Sequence, residues 1–204
     1  LHSASHWLAA IYIMRIATTV ACPIHNSFRV QQLAGMFDLP PRETLRETFE
    51  VDVPSREEDW QIGAIVGPSG SGKSTIARAA FGDALYQPGN WPRDLAAIDG
   101  FGALPIRQIT RTLTAVGFGS PPSWLKPFHV LSTGEKFRCE LARALLRNAG
   151  RKSCPVVFDE FTSVVDRTVA KVASAAVSRA IRKQHVRAKL VVVSCHDDIL
   201  DWLA

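Results

Sequence analysis

Gln61-Ile62-Gly63-Ala64-Ile65-Val66-Gly67-Pro68-Ser69-Gly70-Ser71-Gly72-Lys73-Ser74-Thr75 is the stretch whose reading decides the fold. Residues 61–66 are a short apolar run that predicts a strand. Residues 73–81 have helical character and stop at Gly82, a residue suited to a helix C-cap. Between strand and helix, Gly67, Pro68, Ser69, Gly70, Ser71, Gly72, Lys73 and Ser74 satisfy G-x-x-x-x-G-K-[ST] in full, and Thr75 follows. The glycines let the backbone turn tightly and aim successive N–H groups at phosphate oxygens. A helix opening near Lys73 adds unpaired N–H donors and the positive end of its dipole. Lys73 is expected to reach the β- and γ-phosphates of a nucleotide and the Ser74 hydroxyl to ligate Mg²⁺. A flexible Gly/Ser turn accounts for the glycines, but not for the lysine–serine pair at the start of a helix.

Downstream, Pro155-Val156-Val157-Phe158-Asp159-Glu160 is an apolar strand that delivers two carboxylates at its C-terminal end, where open parallel sheets bind ligands. Asp159 is expected to hold Mg²⁺ through water, and Glu160 to polarise the attacking water as general base. Residues 190–195 repeat the arrangement and end at His196, which is expected to contact the γ-phosphate. A strand-terminal histidine bonded to backbone is the plainer account of that residue.

Outward from these strands, helices are expected over residues 106–116, 135–146 and 167–183, with further strands at 95–98, 156–158 and 190–194. Strands that are apolar throughout and separated by helices predict an α/β fold with a mostly parallel sheet covered on both faces. Residues 117–127 read as a Pro/Gly/Ser-rich connection. Before residue 61, extended stretches at 16–22, 28–30 and 48–53 predict a small antiparallel β part, closed by an exposed acidic turn at Glu57-Glu58-Asp59. The expected division is therefore a β part at 14–60, a core from 61–100 and 150–204, and a short helical part at 101–149, all in one domain. Residues 1–13 read as an upstream extension or a fragment end, because the chain begins at Leu1. Trp202-Leu203-Ala204 reads as a truncated end.

With 204 residues, 47% hydrophobic and 21% charged, the chain has the composition of a soluble globular domain. No apolar run reaches the roughly 18 to 20 residues of a membrane span. Cys22, Cys139, Cys154 and Cys195 show no metal-ligand spacing, and a domain of this size does not need staples. They predict reduced thiols in the cytoplasm, with Cys195 buried in its apolar run. The net charge is +5, and Arg and Lys concentrate in residues 147–152 and 179–189. A solvated helix face explains such runs; nucleic acid or another polyanion is the alternative.

Leu131-Ser132-Thr133-Gly134-Glu135-Lys136 is locally a capping box, with Ser132 as N-cap and Glu135 three residues on. It also has the shape of the LSxGE signature of ATP-binding-cassette (ABC) ATPases. Phosphate loop, LSTGEK, VVFDEFTS, VVD and VSCH, in that order, resemble this family of P-loop NTPases from about residue 45 to the end. The resemblance implies ATP and Mg²⁺ as ligands and an ATPase activity with Lys73, Glu160 and His196 as catalytic residues. It also implies a head-to-tail homodimer when ATP is bound. Ser132, Gly134 and Glu135 of one copy would close on the γ-phosphate held by the other, with Asp166 in the loop crossing the interface.

The chain departs from transporter cassettes in reading Phe161-Thr162-Ser163-Val164-Val165-Asp166 after the Asp-Glu pair, and in the shortness of residues 75–131. The glutamine expected at the end of the middle strand has three candidates, Asp99, Gln108 and Gln87. An adenine-stacking aromatic is expected at Phe37, ahead of Phe28 and Trp60. The motif set looks like a non-transport branch often fused to a predicted acetyltransferase domain, which implies such a fused or associated partner. The alternative is the nucleotide-binding subunit of a transporter.

Overall fold

In the computed structural model, the residues described are 13–40, 42–56, 58–147 and 154–204. The expectation for residues 1–13 falls, save for Ile13, outside the described residues, as do most of the basic run 147–152 and Glu57 of the acidic turn.

Three short strands form the centre: β3 (Ile62–Val66), β4 (Val156–Phe158) and β5 (Leu190–Ser194), parallel and in the order β3-β5-β4. Ile62 is level with Leu190, and Leu190 with Val156, so all three strands end at one edge. Successive side chains of a strand point to opposite faces, and both faces here are covered. Val157, Val191 and Val193 pack on Ala77, Ala80 and Phe81 of α2 (Lys73–Phe81). Val156, Phe158, Leu190 and Val192 join the larger core with α3 (Ile106–Ala115), α5 (Thr133–Arg147) and α6 (Arg167–Arg182). That double coverage is why β4 and β5 read as unbroken apolar runs rather than alternating ones.

Ahead of the sheet, β1 (Ile13–Pro23) and β2 (Thr44–Pro54) form an antiparallel pair eleven residues long, with Ile13 opposite Pro54 and Pro23 opposite Thr44. Ile16 and Val53 bury the root of this arm against α2. Residues 28–30, expected to be extended, instead open a helix, α1 (Phe28–Met36), at the tip of the arm. Ser27 starts it by accepting the Val30 N–H on its hydroxyl at 3.3 Å, a cap of the usual Ser type. None of its residues is buried.

The strand expected at 95–98 is likewise absent. Ala97–Phe101 coil into a 3₁₀ turn. The physical reason lies in the preceding tryptophan. Trp91 stacks on Phe128 at 4.3 Å, and its indole N–H donates to Glu140 Oε1 at 2.6 Å. The same ring lies so close to Gly100 that a Cβ there would come within 2.3 Å of it. Tyr86 donates to the other Glu140 oxygen, and Arg143 covers Trp91 at 4.6 Å. Leu85 bridges to Val157 of β4 and the Tyr86 N–H bonds the Val157 carbonyl at 2.7 Å; beyond them, residues 87–101 are tied down over α5 by side chains.

The connection at 117–127 contains one helical turn, α4 (Pro121–Trp124), and α7 (Ile199–Leu203) packs on α6 after β5. Glu58 is half-buried rather than exposed, and its carbonyl accepts from Lys189, whose ammonium lies 4.9 Å from the Trp60 ring. Among the described residues, no helix is long and apolar enough to cross a membrane.

Candidate functional site: a phosphate-loop cleft

The parallel edge collects the chemistry. A cleft of about 540 Å³ opens there, lined by Ser69, Gly70, Gly72, Lys73, Ser74 and Thr75 from the loop after β3 and by Asp159 and Glu160 from the end of β4. Gly70 and Gly72 take φ of 80° and 77°, the left-handed region that side chains resist. Ser71 N–H closes the turn on the Pro68 carbonyl at 3.3 Å. α2 then starts at Lys73 with no side chain capping it, so its N-terminal donors face the cleft. Gly67 is half-buried and abuts the Ser71 hydroxyl, where a Cβ would stand at 3.0 Å. Lys73 folds back so that its ammonium donates to the Pro68 carbonyl at 2.6 Å.

Across the cleft, the Ser74 hydroxyl donates to Asp159 Oδ1 at 3.1 Å, although 85 residues separate them. The same carboxylate oxygen accepts the Glu160 N–H at 2.8 Å. Glu160 is exposed into the cleft at φ 50°, and Thr162 follows at φ 66°. Two left-handed non-glycine residues this close together cost roughly 1–3 kcal/mol each. Phe161 between them supplies the compensation. It is fully buried against Phe137 and Phe158, and its N–H bonds the Val193 carbonyl at 2.8 Å. Phe161 thereby anchors the loop that presents Glu160.

The oxygen pair of Ser74 and Asp159 fits a hard cation of the Mg²⁺ type, which takes one or two protein oxygens and leaves its other positions to water and phosphate. Among the described residues, no three His, Cys, Asp or Glu side chains gather into a dedicated metal cage.

His196 follows β5 at the same edge, half-buried, with its backbone N–H on the Ser194 hydroxyl at 3.1 Å. It is not among the residues lining the cleft; its neighbour Cys195 is. Cys195 is exposed, contrary to the expectation of a buried thiol, because β5 ends at Ser194 and the chain turns outward there. Arg167 ties this segment to the Glu160 loop. It grips Asp198 with two nitrogens, one at 3.0 Å, donates to the Thr162 hydroxyl at 3.3 Å and covers Trp202 at 4.7 Å. That grip holds the Asp198 carboxyl below its ordinary range.

The signature residues lie elsewhere. Ser132 N–H and hydroxyl both donate to Glu135 Oε2 at 2.9 Å, and the Ser132 hydroxyl accepts the Glu135 N–H at 3.3 Å. The capping box is therefore closed in both directions. Gly134 lets the first turn of α5 approach α6, where a Cβ would meet Val169 at 3.1 Å. Asp166 caps α6 through the N–H groups of Thr168 and Val169 at 2.9 and 3.0 Å. None of Ser132, Gly134, Glu135 and Asp166 lines the cleft, and neither do Asp99, Gln108 or Gln87.

Sequence reasoning missed one wall. Val20, Glu47 and Phe49 of the arm face the phosphate loop, and the Phe49 ring would meet a Cβ on Gly72 at 2.4 Å. Phe37 and Phe28 are instead 64% and 74% exposed on or beside α1, and Trp60 is held under Lys189 with its indole on the Ser55 carbonyl. The alternation Phe49, Val51, Val53 was a signal that Phe49 shares the inward face of its strand.

A parallel sheet covered on both faces, with a glycine-rich loop running into an uncapped helix beside an Asp-Glu strand end, defines an α/β fold of the P-loop NTPase type. No protein-family model matches the chain, and no curated protein matches it. Among solved structures, the chain is similar to a bacterial ABC transporter cassette solved as a dimer, at 18% identity and a TM-score of 0.56. That match covers 76% of this chain and 84% of the other. The same cassette in a post-hydrolysis state bound to ADP and Pi matches at 18% identity, a TM-score of 0.55 and the same coverage. A bacterial Atm1-family ABC exporter with ATP bound matches at 19% identity and a TM-score of 0.51, over 72% of this chain and 31% of that one. The fold is that of ABC ATP-binding cassettes.

Proposed function

We propose that the chain binds ATP with Mg²⁺ and hydrolyses it to ADP and phosphate, and that ATP draws two copies into a head-to-tail dimer. The observation that carries this reading is the convergence of Ser74 and Asp159 at 3.1 Å beneath the phosphate loop, with Glu160 beside them in the same cleft. The loop amides and the N-terminus of α2 receive the β- and γ-phosphate oxygens. Lys73 leaves the Pro68 carbonyl for the phosphates, exchanging a neutral acceptor for a charged one. Ser74 and Asp159 would hold Mg²⁺, which would supply charge neutralisation at the phosphates. Glu160 accepts the proton of the attacking water. His196, at the same edge of the sheet, is the candidate contact to the γ-phosphate, and Phe49, packed beside Gly72, is an aromatic wall of the cleft.

Ser132, Gly134 and Glu135 act in trans on the partner's γ-phosphate, with Asp166 at the dimer loop. The exposure of Ser132, Val164 and Asp166 supports that role. Four free thiols, two of them exposed, support a cytoplasmic setting. The acetyltransferase partner rests on the resemblance alone. The alternative, a subunit docked on a permease, draws on the neighbours' own contexts. This chain has only one ten-residue helix and short turns between Phe81 and the signature, a small surface for gripping a membrane partner.

Wild type should release phosphate from ATP in the presence of Mg²⁺ without any membrane protein. Lys73→Ala should lose ATP binding, and Glu160→Gln should keep binding while turnover falls at least a hundredfold. In gel filtration, Glu160→Gln with ATP should run as a dimer and the ATP-free protein as a monomer. A Glu160→Gln protein that turns over like wild type would falsify the assignment.

A further inference from the structure

Away from the cleft, the charge of the chain is unevenly spread. From Arg167 to His196 there are seven lysines and arginines and no carboxylate, against a total of +5 for the chain. A second carboxylate-free stretch, residues 100–134, contributes α3. The fold brings these two segments face to face. Arg107 and Arg111, one turn apart on α3, form one wall of a groove. Arg179 near the end of α6, with His185 and Arg187 in the turn after it, forms the other. Two adjoining hollows of about 670 and 570 Å³ share Arg107, Arg111 and His185, so the groove is continuous.

The groove is free and firmly built. Among the described residues, the ion pairs are Arg15 with Asp52 and Arg167 with Asp198, so none of these cations is neutralised by a carboxylate. The four arginines and His185 are all exposed. The second wall is held by its backbone: Gln184 sits at φ 56°, and the N–H groups of His185 and Val186 both return to the Ala180 carbonyl, at 2.8 and 3.1 Å. The apolar floor, Leu145, Leu146 and Val186, is at most 9% exposed and offers little to an apolar partner.

We propose that this groove binds the phosphodiester backbone of a nucleic-acid duplex, without reading its sequence. Several unpaired arginines on two rigid walls suit repeated phosphates, because the planar guanidinium fork matches phosphate oxygens. Interfaces with nucleic acid are polar and strongly positive. Single strands are gripped by stacking bases on large aromatic rings, and no Phe, Tyr or Trp lines either hollow. A protein partner would need an exposed apolar or aromatic anchor site, which the floor does not present.

The test is fluorescence anisotropy of a short fluorescein-labelled DNA duplex titrated with the full chain at salt concentrations from about 50 to 200 mM. Wild type should bind, with log K falling on log salt by about 0.9 for each phosphate contacted. The Arg107→Gln/Arg111→Gln variant should bind at least tenfold more weakly, with a slope shallower by about two. Both residues are exposed, so its melting temperature should match wild type, which separates lost contacts from lost folding. Lys73→Ala should bind the duplex like wild type, since the phosphate loop is elsewhere. That arm also keeps this result independent of whether the chain hydrolyses ATP.

Absence of duplex binding at the lowest salt overturns the proposal, as does undiminished binding by the double variant or loss of binding in Lys73→Ala. Equal affinity for poly-glutamate would instead assign the groove to an acidic protein segment. Tighter binding of a single strand would assign it to stacking. Either result overturns the duplex.

Discussion

Gly72 shows how one residue can be under two independent constraints. Its φ of 77° is costly for any side chain, by roughly 1–2 kcal/mol. Its missing Cβ also leaves room for Phe49, whose ring would otherwise stand 2.4 Å away. Gly72→Ala should therefore weaken nucleotide binding at least tenfold in calorimetry and lower the melting temperature. Adding Phe49→Ala should recover part of both losses by removing the clash while the backbone strain persists. A double variant no better than Gly72→Ala would mean that the ring contact is unimportant. The glycine itself was legible in the motif. Its neighbour was not, because Phe49 reaches it only through the register of the β1–β2 arm. Cys195 is a similar case: its apolar run predicted a buried thiol, but the strand ends at Ser194 and the thiol is exposed.

At the scale of elements, α5 carries a titratable cap. The Ser132 N–H bond holds the Glu135 carboxyl below its ordinary range, helped by the Ser123 and Ser132 hydroxyls and by Lys126, while partial burial opposes them. A depressed carboxylate stabilises the fold at pH values above its unfolded pKa, about 4.3. That stability is lost as pH falls through the lower folded value. Glu135→Gln should thus be less stable than wild type near neutrality, by about 1 kcal/mol or less for so exposed a group. The difference should shrink as pH falls through and below 4, measured by urea denaturation at each pH. A gap independent of pH would show that the charge has no part in the cap.

The helices and apolar strands were legible because their periodicity is local. The segments misread, 28–30 and 95–98, are short. One became helix through a serine cap, and the other was pinned by Trp91 stacking on Phe128, some 37 residues away in sequence.

Across the whole molecule, the phosphate loop and the signature do not share a cleft within one chain: none of Ser132, Gly134 and Glu135 lines it. If the second half of the site comes from another copy, turnover per chain should rise with protein concentration, because the dimer forms by mass action. Phosphate release measured from nanomolar to micromolar chain should show specific activity climbing at least tenfold and then saturating. A flat profile would make one copy sufficient. The same scale explains how far the candidate site could be read in advance. The residues of the loop and of the Asp-Glu strand are contiguous in sequence, so their spacing carries the chemistry. The phosphate loop, the Asp-Glu pair, the capping box and the alternation of strands and helices are properties of short segments, and the sequence alone determined them. Tertiary structure decided that Ser74 meets Asp159, that Phe49 closes the cleft, that Phe161 anchors the Glu160 loop and that two carboxylate-free stretches face each other across a groove. Each of these depends on register and packing between segments far apart in the chain, which local propensity does not encode.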